Sequence, residues 1–411
     1  MSLADASTIE PVRTPRNAVN ANELTASSLS QFNPLNDCLL ATGQVGLIAS
    51  GRSQSIRLPV TDENGSQESF HSAVKEALSA ARAAGQLSPV VVGAIPFDTR
   101  KPSHLFVPKS HRFLPASDFQ ALQGGQQEVS LVDATSAPDE RGYRDAVTAL
   151  VRQFEAGELQ KSVLSRRLDM VLSAPVDPVK LMGAIVQQNP ASHYFSVPLE
   201  DGSIFMGASP ELLVRRHGME LQANPLAGSI ARESDPSKDC LVSERLLTSE
   251  KDLREHRLVV DDIKRNLAPY CVSLDVPATP SLVSTPAMWH LSTRLQGWLK
   301  NPEVTSLTLA CALHPTPAVC GFPTKEAKEA LLSLENYDRH LFTGIVGWCD
   351  ANGNGDWAIA IRCGQVQQQS IQLFAGAGIV LGSQPEKEWL ETQAKLATML
   401  RAMGLSGNAP L

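Results

Sequence analysis

Clusters of basic residues are missing from this chain: its 36 Lys and Arg are outnumbered by 43 Asp and Glu, leaving a net charge of -7, and the cations never gather into a run. That excludes the usual footprint of a nucleic-acid or anionic-membrane surface, so any anionic ligand has to be held by local charges. Long apolar runs are missing too. No stretch approaches the ~18 residues of a membrane span, and the first 30 residues carry Asp5 and Glu10 but no apolar leader core. A cytoplasmic protein is the expectation. The seven cysteines (Cys38, Cys240, Cys271, Cys311, Cys320, Cys349, Cys363) contain no CxxC pair, which argues against a zinc or dithiol centre and predicts mostly small buried hydrophobes. Neither GxxxxGK nor GxGxxG occurs, so a nucleotide cofactor is not indicated.

What is present is globular material, 43% hydrophobic and 19% charged over 411 residues. One large domain or two fused halves both fit that length. Residues 1–36 are rich in Ser, Ala, Asn and Thr without periodicity and read as a disordered extension. Beyond them, helical periodicity runs over Glu68 to Ala84 and Tyr143 to Ala156, with a buried strand between them at Val90 to Ile95. Strand-like alternation follows through Lys161, Val163 and Ser165, and Asp177-Pro178 offers a cap and first-turn proline for a helix to about Gln188. Turns at Glu200-Asp201-Gly202 and His217-Gly218 predict two hairpins, with strands around Phe195, Phe205, Leu212 and Leu221. One long helix is expected over about Lys238 to Leu267, then strands near Ile345, Ile359 and Phe374, and a closing helix from Ser383 to Met403. Meandering strands with interspersed helices predict an α+β fold with large, mostly antiparallel sheets packed together and helices outside.

The clearest chemical pattern is one spacing used twice: Asp252 with Glu255, and Glu388 with Glu391. Residues three apart share a helical face, so two facing helices would converge four hard oxygen donors, a set that suits Mg²⁺ with its retained waters. Solvated acidic faces produce the same spacing. Lys395, four residues after Glu391, reads equally as an ordinary ion pair. Lys161 stands in a probable strand beside Val163 and Leu164. Inside a sheet it could lose its proton and serve as a base; on an edge it would snorkel to water. Glu211 follows Gly207-Ala208-Ser209-Pro210, read as a turn, and precedes Leu212 and Leu213, where a carboxyl could be held protonated and act as an acid. Three glycine-bearing segments, Leu226 to Ser229, Gly344 to Gly347 and Ala375 to Gly378, allow close ligand approach, and Arg362 is a second charge in an apolar strand, able to take a carboxylate bidentately.

Taken in order, the motifs resemble the chorismate-utilising enzymes, and within them the siderophore-type isochorismate synthases. The resemblance runs through VGAIPFD (Val92 to Asp98), KSVLSR (Lys161 to Arg166), GASPELL (Gly207 to Leu213), PLAGS (Pro225 to Ser229) and SEKDLREH (Ser249 to His256). It continues through WHLST (Trp289 to Thr293), LHPTPA (Leu313 to Ala318), GIVGW (Gly344 to Trp348), LFAGAGIV (Leu373 to Val380) and EWLET (Glu388 to Thr392). It implies one chorismate-binding domain over 37–411 and Mg²⁺-dependent conversion of chorismate to isochorismate. On the matching positions, Lys161 activates water for attack at C2 and Glu211 protonates the departing C4 hydroxyl. Glu255 and Glu391 ligate Mg²⁺ directly, Asp252 and Glu388 through its waters. The metal and Gly228 with Ser229 meet the ring carboxylate; Arg362, Gly376 and Lys395 take the enolpyruvyl carboxylate; His290 lines the ring pocket. A monomer with no glutaminase subunit is implied. Salicylate synthases, quinone-pathway isochorismate synthases and aminating relatives share the scaffold. The chain departs from the enterobactin-type pattern at Ile230, Val319 and Thr343, and Val319 bears on the product formed.

Overall fold

In a computed structural model of the chain, residues 29, 31–42, 45–122 and 124–405 are described. The expected N-terminal extension therefore falls mostly outside them, although Leu29 and Phe32 are buried in the core. Among the described residues there are eight α-helices: α1 Glu68–Ala83, α2 Glu140–Glu155, α3 Pro178–Gln188, α4 Pro236–Thr248, α5 Glu250–Leu267, α6 Ser306–Leu313, α7 Thr324–Leu334 and α8 Pro385–Ala402. Seventeen strands join in one network and three more form a small sheet; the pairings in both are antiparallel. The α+β class and its antiparallel sheets are as expected.

Aromatic and aliphatic side chains from strands on both sides, among them Val92, Phe106, Phe195, Phe205, Ala358 and Phe374, make one apolar cluster between sheet faces. The outer faces are covered by helices: α1, α5 and α6 over a cluster around Trp357, and α3 with α8 over one around Leu168 and Met399. In α2 the exposed polar residues fall opposite the buried stripe of Tyr143, Ala146, Val147, Leu150 and Phe154. Six of the seven cysteines are buried, and no helix among the described residues is long and apolar enough to cross a membrane.

Local signals placed most elements. Asp177 caps α3 through Val179 and Lys180 N–H groups, with Pro178 in the first turn, and both hairpins form at the expected turns. Three expectations need correction. The single helix over Lys238 to Leu267 is two, because Ser249 is extended (ψ 110) and its hydroxyl caps α5 at Asp252 N–H. Ser249 with Asp252 three residues on is a local helix-start signal, and the break puts Asp252 in the first turn of a new helix. Gly207, Ala208 and Ser209 lie in the strand Ile204–Ser209, and only Pro210 and Glu211 form the break before Leu212–His217. Gly207 is needed for packing: a Cβ there would lie 2.6 Å from Arg362 O. Arg362 itself is not in a strand; it sits between Gly355–Ile359 and Cys363–Gln367 with φ 52.

Candidate active site

The strand Lys161–Leu172 pairs along its whole length with Ser370–Val380, setting Lys161 opposite Val380, Val163 opposite Gly378 and Ser165 opposite Gly376. On the other edge Lys161 pairs with Phe322. Lys161 is thus interior to the sheet, fully buried, and cannot snorkel. Its Nζ lies 2.9 Å from Glu255 Oε1 without a well-directed hydrogen bond, so charge and proximity hold it. Gly378 makes room for this pair: a Cβ there would fall 2.2 Å from Glu255 Oε1.

A cavity opens beside this pair, with about 640 Å³ of empty space counting its mouth. Nine of the twelve predicted site residues line it: Glu211, Gly228, Ser229, Glu255, His290, Arg362, Gly376, Glu391 and Lys395. Lys161, Asp252 and Glu388 stand behind the wall. Helices α5 and α8 bring the two acidic pairs together, with α5 packed on the strand Leu226–Ala231 and α8 on Ser370–Val380.

The site has two electrostatic ends. At one, Arg362 is buried, and burial lowers its pKa to about 10, still protonated at neutral pH. Among the described residues it has no carboxylate within ion-pair distance; its Nη2 faces His290 Nε2 at 3.5 Å. Burial, with the charges of Arg362 and Lys395, pushes His290 well below its usual range, so the imidazole is neutral and can accept from the guanidinium. A buried fork with spare donors is suited to a ligand carboxylate. Lys395 lines the same cavity, its Nζ donating to Gly376 O at 2.7 Å and Glu391 Oε1 at 2.6 Å.

At the other end the acids crowd. Burial and the neighbouring Glu255 and Glu391 charges raise the pKa of Asp252; burial and Glu391 raise that of Glu388. Burial also pushes Glu255 up, but Lys161, Lys251 and Lys395 more than offset it and leave the carboxyl below its usual value. Three lysines each neutralise one acid: Lys161 on Glu255, Lys251 on Glu388 at 3.0 Å, Lys395 on Glu391. Among the described residues no three His, Cys, Asp or Glu side chains already stand as a metal-ligand group. Magnesium does not demand three, since one or two carboxylates and several waters suffice, and an all-oxygen set with excess negative charge fits it.

Glu211 is buried at the break after Pro210, its Oε1 accepting weakly from Leu226 N–H at 3.4 Å. Burial raises its pKa to about 7 against the opposing pull of that hydrogen bond and of Lys161, Arg362 and Lys395. A carboxyl half-protonated at neutral pH can give up or take a proton there.

Residues 109–404 match the sequence model of the chorismate binding enzymes. The chain belongs to that family. It is 42% identical to isochorismate synthase DhbC of Bacillus subtilis over 89% of this chain and 93% of the relative. Against isochorismate synthase EntC of Escherichia coli K12 the identity is 41%, over 84% of this chain and 89% of the relative. The solved structure of DhbC from Bacillus anthracis superposes with a TM-score of 0.86 at 41% identity, covering 93% of this chain and all of that one. The family's architecture is the one described above.

Several residues of the wall carry no signal in the sequence. Phe374 and Phe342 stack at 5.1 Å and line the cavity with Val163; Phe374 and Val163 fall within the LFAGAGIV and KSVLSR segments but read as ordinary core residues, and nothing local marks Phe342. Lys251 lies in the SEKDLREH segment directly before Asp252, yet its role as counter-ion to Glu388 depends on α8.

Proposed function

We propose that this protein is an isochorismate synthase, an isomerase that converts chorismate to isochorismate. The observation that carries the reading is one cavity lined by Glu211, whose pKa burial raises to about 7, and by Glu255, which holds the buried Lys161. Similarity over nearly the whole length to isochorismate synthases supports it. The ring and enolpyruvyl carboxylates of chorismate match the two ends of the cavity: Gly228 and Ser229 beside the acids for the first, Arg362, Gly376 and Lys395 for the second, with His290 against the ring.

In this mechanism Lys161 takes a proton from water as the oxygen attacks C2. The ring double bond shifts, the C4–O bond breaks, and Glu211 gives its proton to the departing hydroxyl. One water enters and one leaves, so the reaction is an isomerisation. Mg²⁺ would be held directly by Glu255 and Glu391 and through water by Asp252 and Glu388; when bound it supplies positive charge to the ring carboxylate. Burial in a cavity closed by strands on two sides keeps bulk water from competing with the one that reacts.

The same reading has residues 37–411 working as one domain, as a cytoplasmic monomer with no glutaminase partner, and supplies a catecholate siderophore pathway. Incubation of the full chain with chorismate and Mg²⁺, followed by chromatography, is expected to yield isochorismate. Salicylate with pyruvate, an aminated product with ammonia, or untouched chorismate would overturn it.

A further inference from the structure

Behind the cavity lies a buried ion pair that the proposed chemistry does not use. Arg339 and Glu335 have side chains only 3% and 5% exposed. Arg339 Nε donates to Glu335 Oε2 at 2.7 Å and Nη2 to Oε1 at 2.5 Å, a bidentate grip. Its other donors go to wall residues: Nη1 to Val319 O at 2.8 Å and Thr343 Oγ1 at 3.3 Å, Nη2 to Val163 O at 2.5 Å. Val163, Val319 and Thr343 all line the cavity, whereas Arg339 does not. Glu335 Oε1 also accepts from Ser165 N–H at 2.8 Å and Ser165 Oγ at 2.7 Å.

One guanidinium therefore bonds to three wall segments, of which the first two also pair directly, Val163 N–H to Cys320 O at 2.8 Å and Ser162 opposite Gly321. The first is the strand whose opening residue is Lys161, two positions from Val163. The second ends at Val319, and the third holds Thr343 in a left-handed conformation (φ 58) that a β-branched residue rarely adopts. Burying two charges is costly, and an apolar pair of similar volume would fill the same space. What an apolar pair could not do is aim donors at three fixed acceptors.

We propose that Arg339, oriented by Glu335, is a positioning residue: it fixes the wall segment at Thr343 against the Lys161 strand and the Val319 turn packed beside that strand. The proposal rests on the isochorismate synthase reading. A lysine at 339 keeps the charge but is a single point donor that cannot span these acceptors. For Arg339→Lys the expected result is a kcat lowered about 10-fold or more, since small misplacement of reacting groups is costly. The KM for chorismate stays within about 3-fold, because the groups proposed to bind its carboxylates are untouched. Amide exchange is expected to quicken in residues 161–166 and 316–320 and to stay unchanged in α1. If Arg339→Lys does not fold, Glu335→Gln is read by the same two measurements.

Wild-type kcat with wild-type exchange in those segments overturns the proposal. So does exchange that rises across the whole chain in step with lost activity, the mark of general destabilisation. A wild-type protein that makes no isochorismate sinks the functional reading instead, and the exchange measurement then decides the positioning on its own.

Discussion

Replacing Glu211 by Gln separates what its burial does for catalysis from what it costs the fold. A carboxyl with the ordinary value of 4.5 is protonated in about 1 molecule in 300 at pH 7, and one raised to about 7 is protonated in about half. An acid must carry its proton, so kcat of the wild type is expected to fall about tenfold per pH unit well above pH 7. Glu211→Gln should remove that limb and lower kcat by roughly two to four orders of magnitude, the usual worth of a positioned acid. The stability effect has the opposite sign. Because the folded-state value lies above the unfolded one, the native protein holds the extra proton between pH 4.5 and about 7, and stability falls as pH rises through that window. Above it the cost is roughly 3 kcal/mol, which the neutral amide avoids. Urea unfolding at pH 4 and pH 8 should therefore show Glu211→Gln level with wild type at the lower pH and more stable at the higher. A flat kcat between pH 6 and 9, or a stability difference that does not grow with pH, would refute the account of a buried, proton-bearing Glu211.

Lys161→Ala is expected to lose about two to four orders of magnitude in kcat while chorismate still binds, as calorimetric titration would measure; near-normal turnover removes Lys161 as the base. EDTA should stop turnover and Mg²⁺ restore it, and Mg²⁺ at 100 times its Kd should add about 2.7 kcal/mol to unfolding; full activity in chelator counts against the carboxylate site. Gly378→Ala puts a Cβ 2.2 Å from Glu255 Oε1 and forces that carboxylate to move. Its Mg²⁺ affinity is expected to drop about 10-fold or more, and an unchanged affinity would mean that Glu255 is not a ligand.

Elements specified by near neighbours in the chain are legible in the sequence. The Asp177-Pro178 start of α3, the strand Val90–Ile95 and the turns of both hairpins depend on caps, periodicity and turn residues within a few positions. The break at Ser249 has a local signal, a Ser with Asp252 three residues on whose N–H its hydroxyl caps, but apolar periodicity on both sides reads through it as one helical stretch. Gly207 misleads for a different reason. Its glycine serves the close approach of Arg362 from a distant part of the chain, and the sequence offers only a turn as the local explanation.

The sequence by itself determined the inventory of the site: two acid pairs at helical spacing, a lysine in a strand, an arginine among apolar residues, and the motif order that marks the family. Only the tertiary structure decided their states. Lys161 could have been an edge residue until Phe322 and Val380 closed on both sides of it. Glu211 could have kept an ordinary carboxyl until burial outweighed three nearby cations. Arg339 carried no signal at all, since its partners Val163, Val319 and Thr343 are assembled from separate segments. Residue type and spacing are written locally, whereas protonation and position depend on burial and on charges brought near by folding, which act through space and not along the chain.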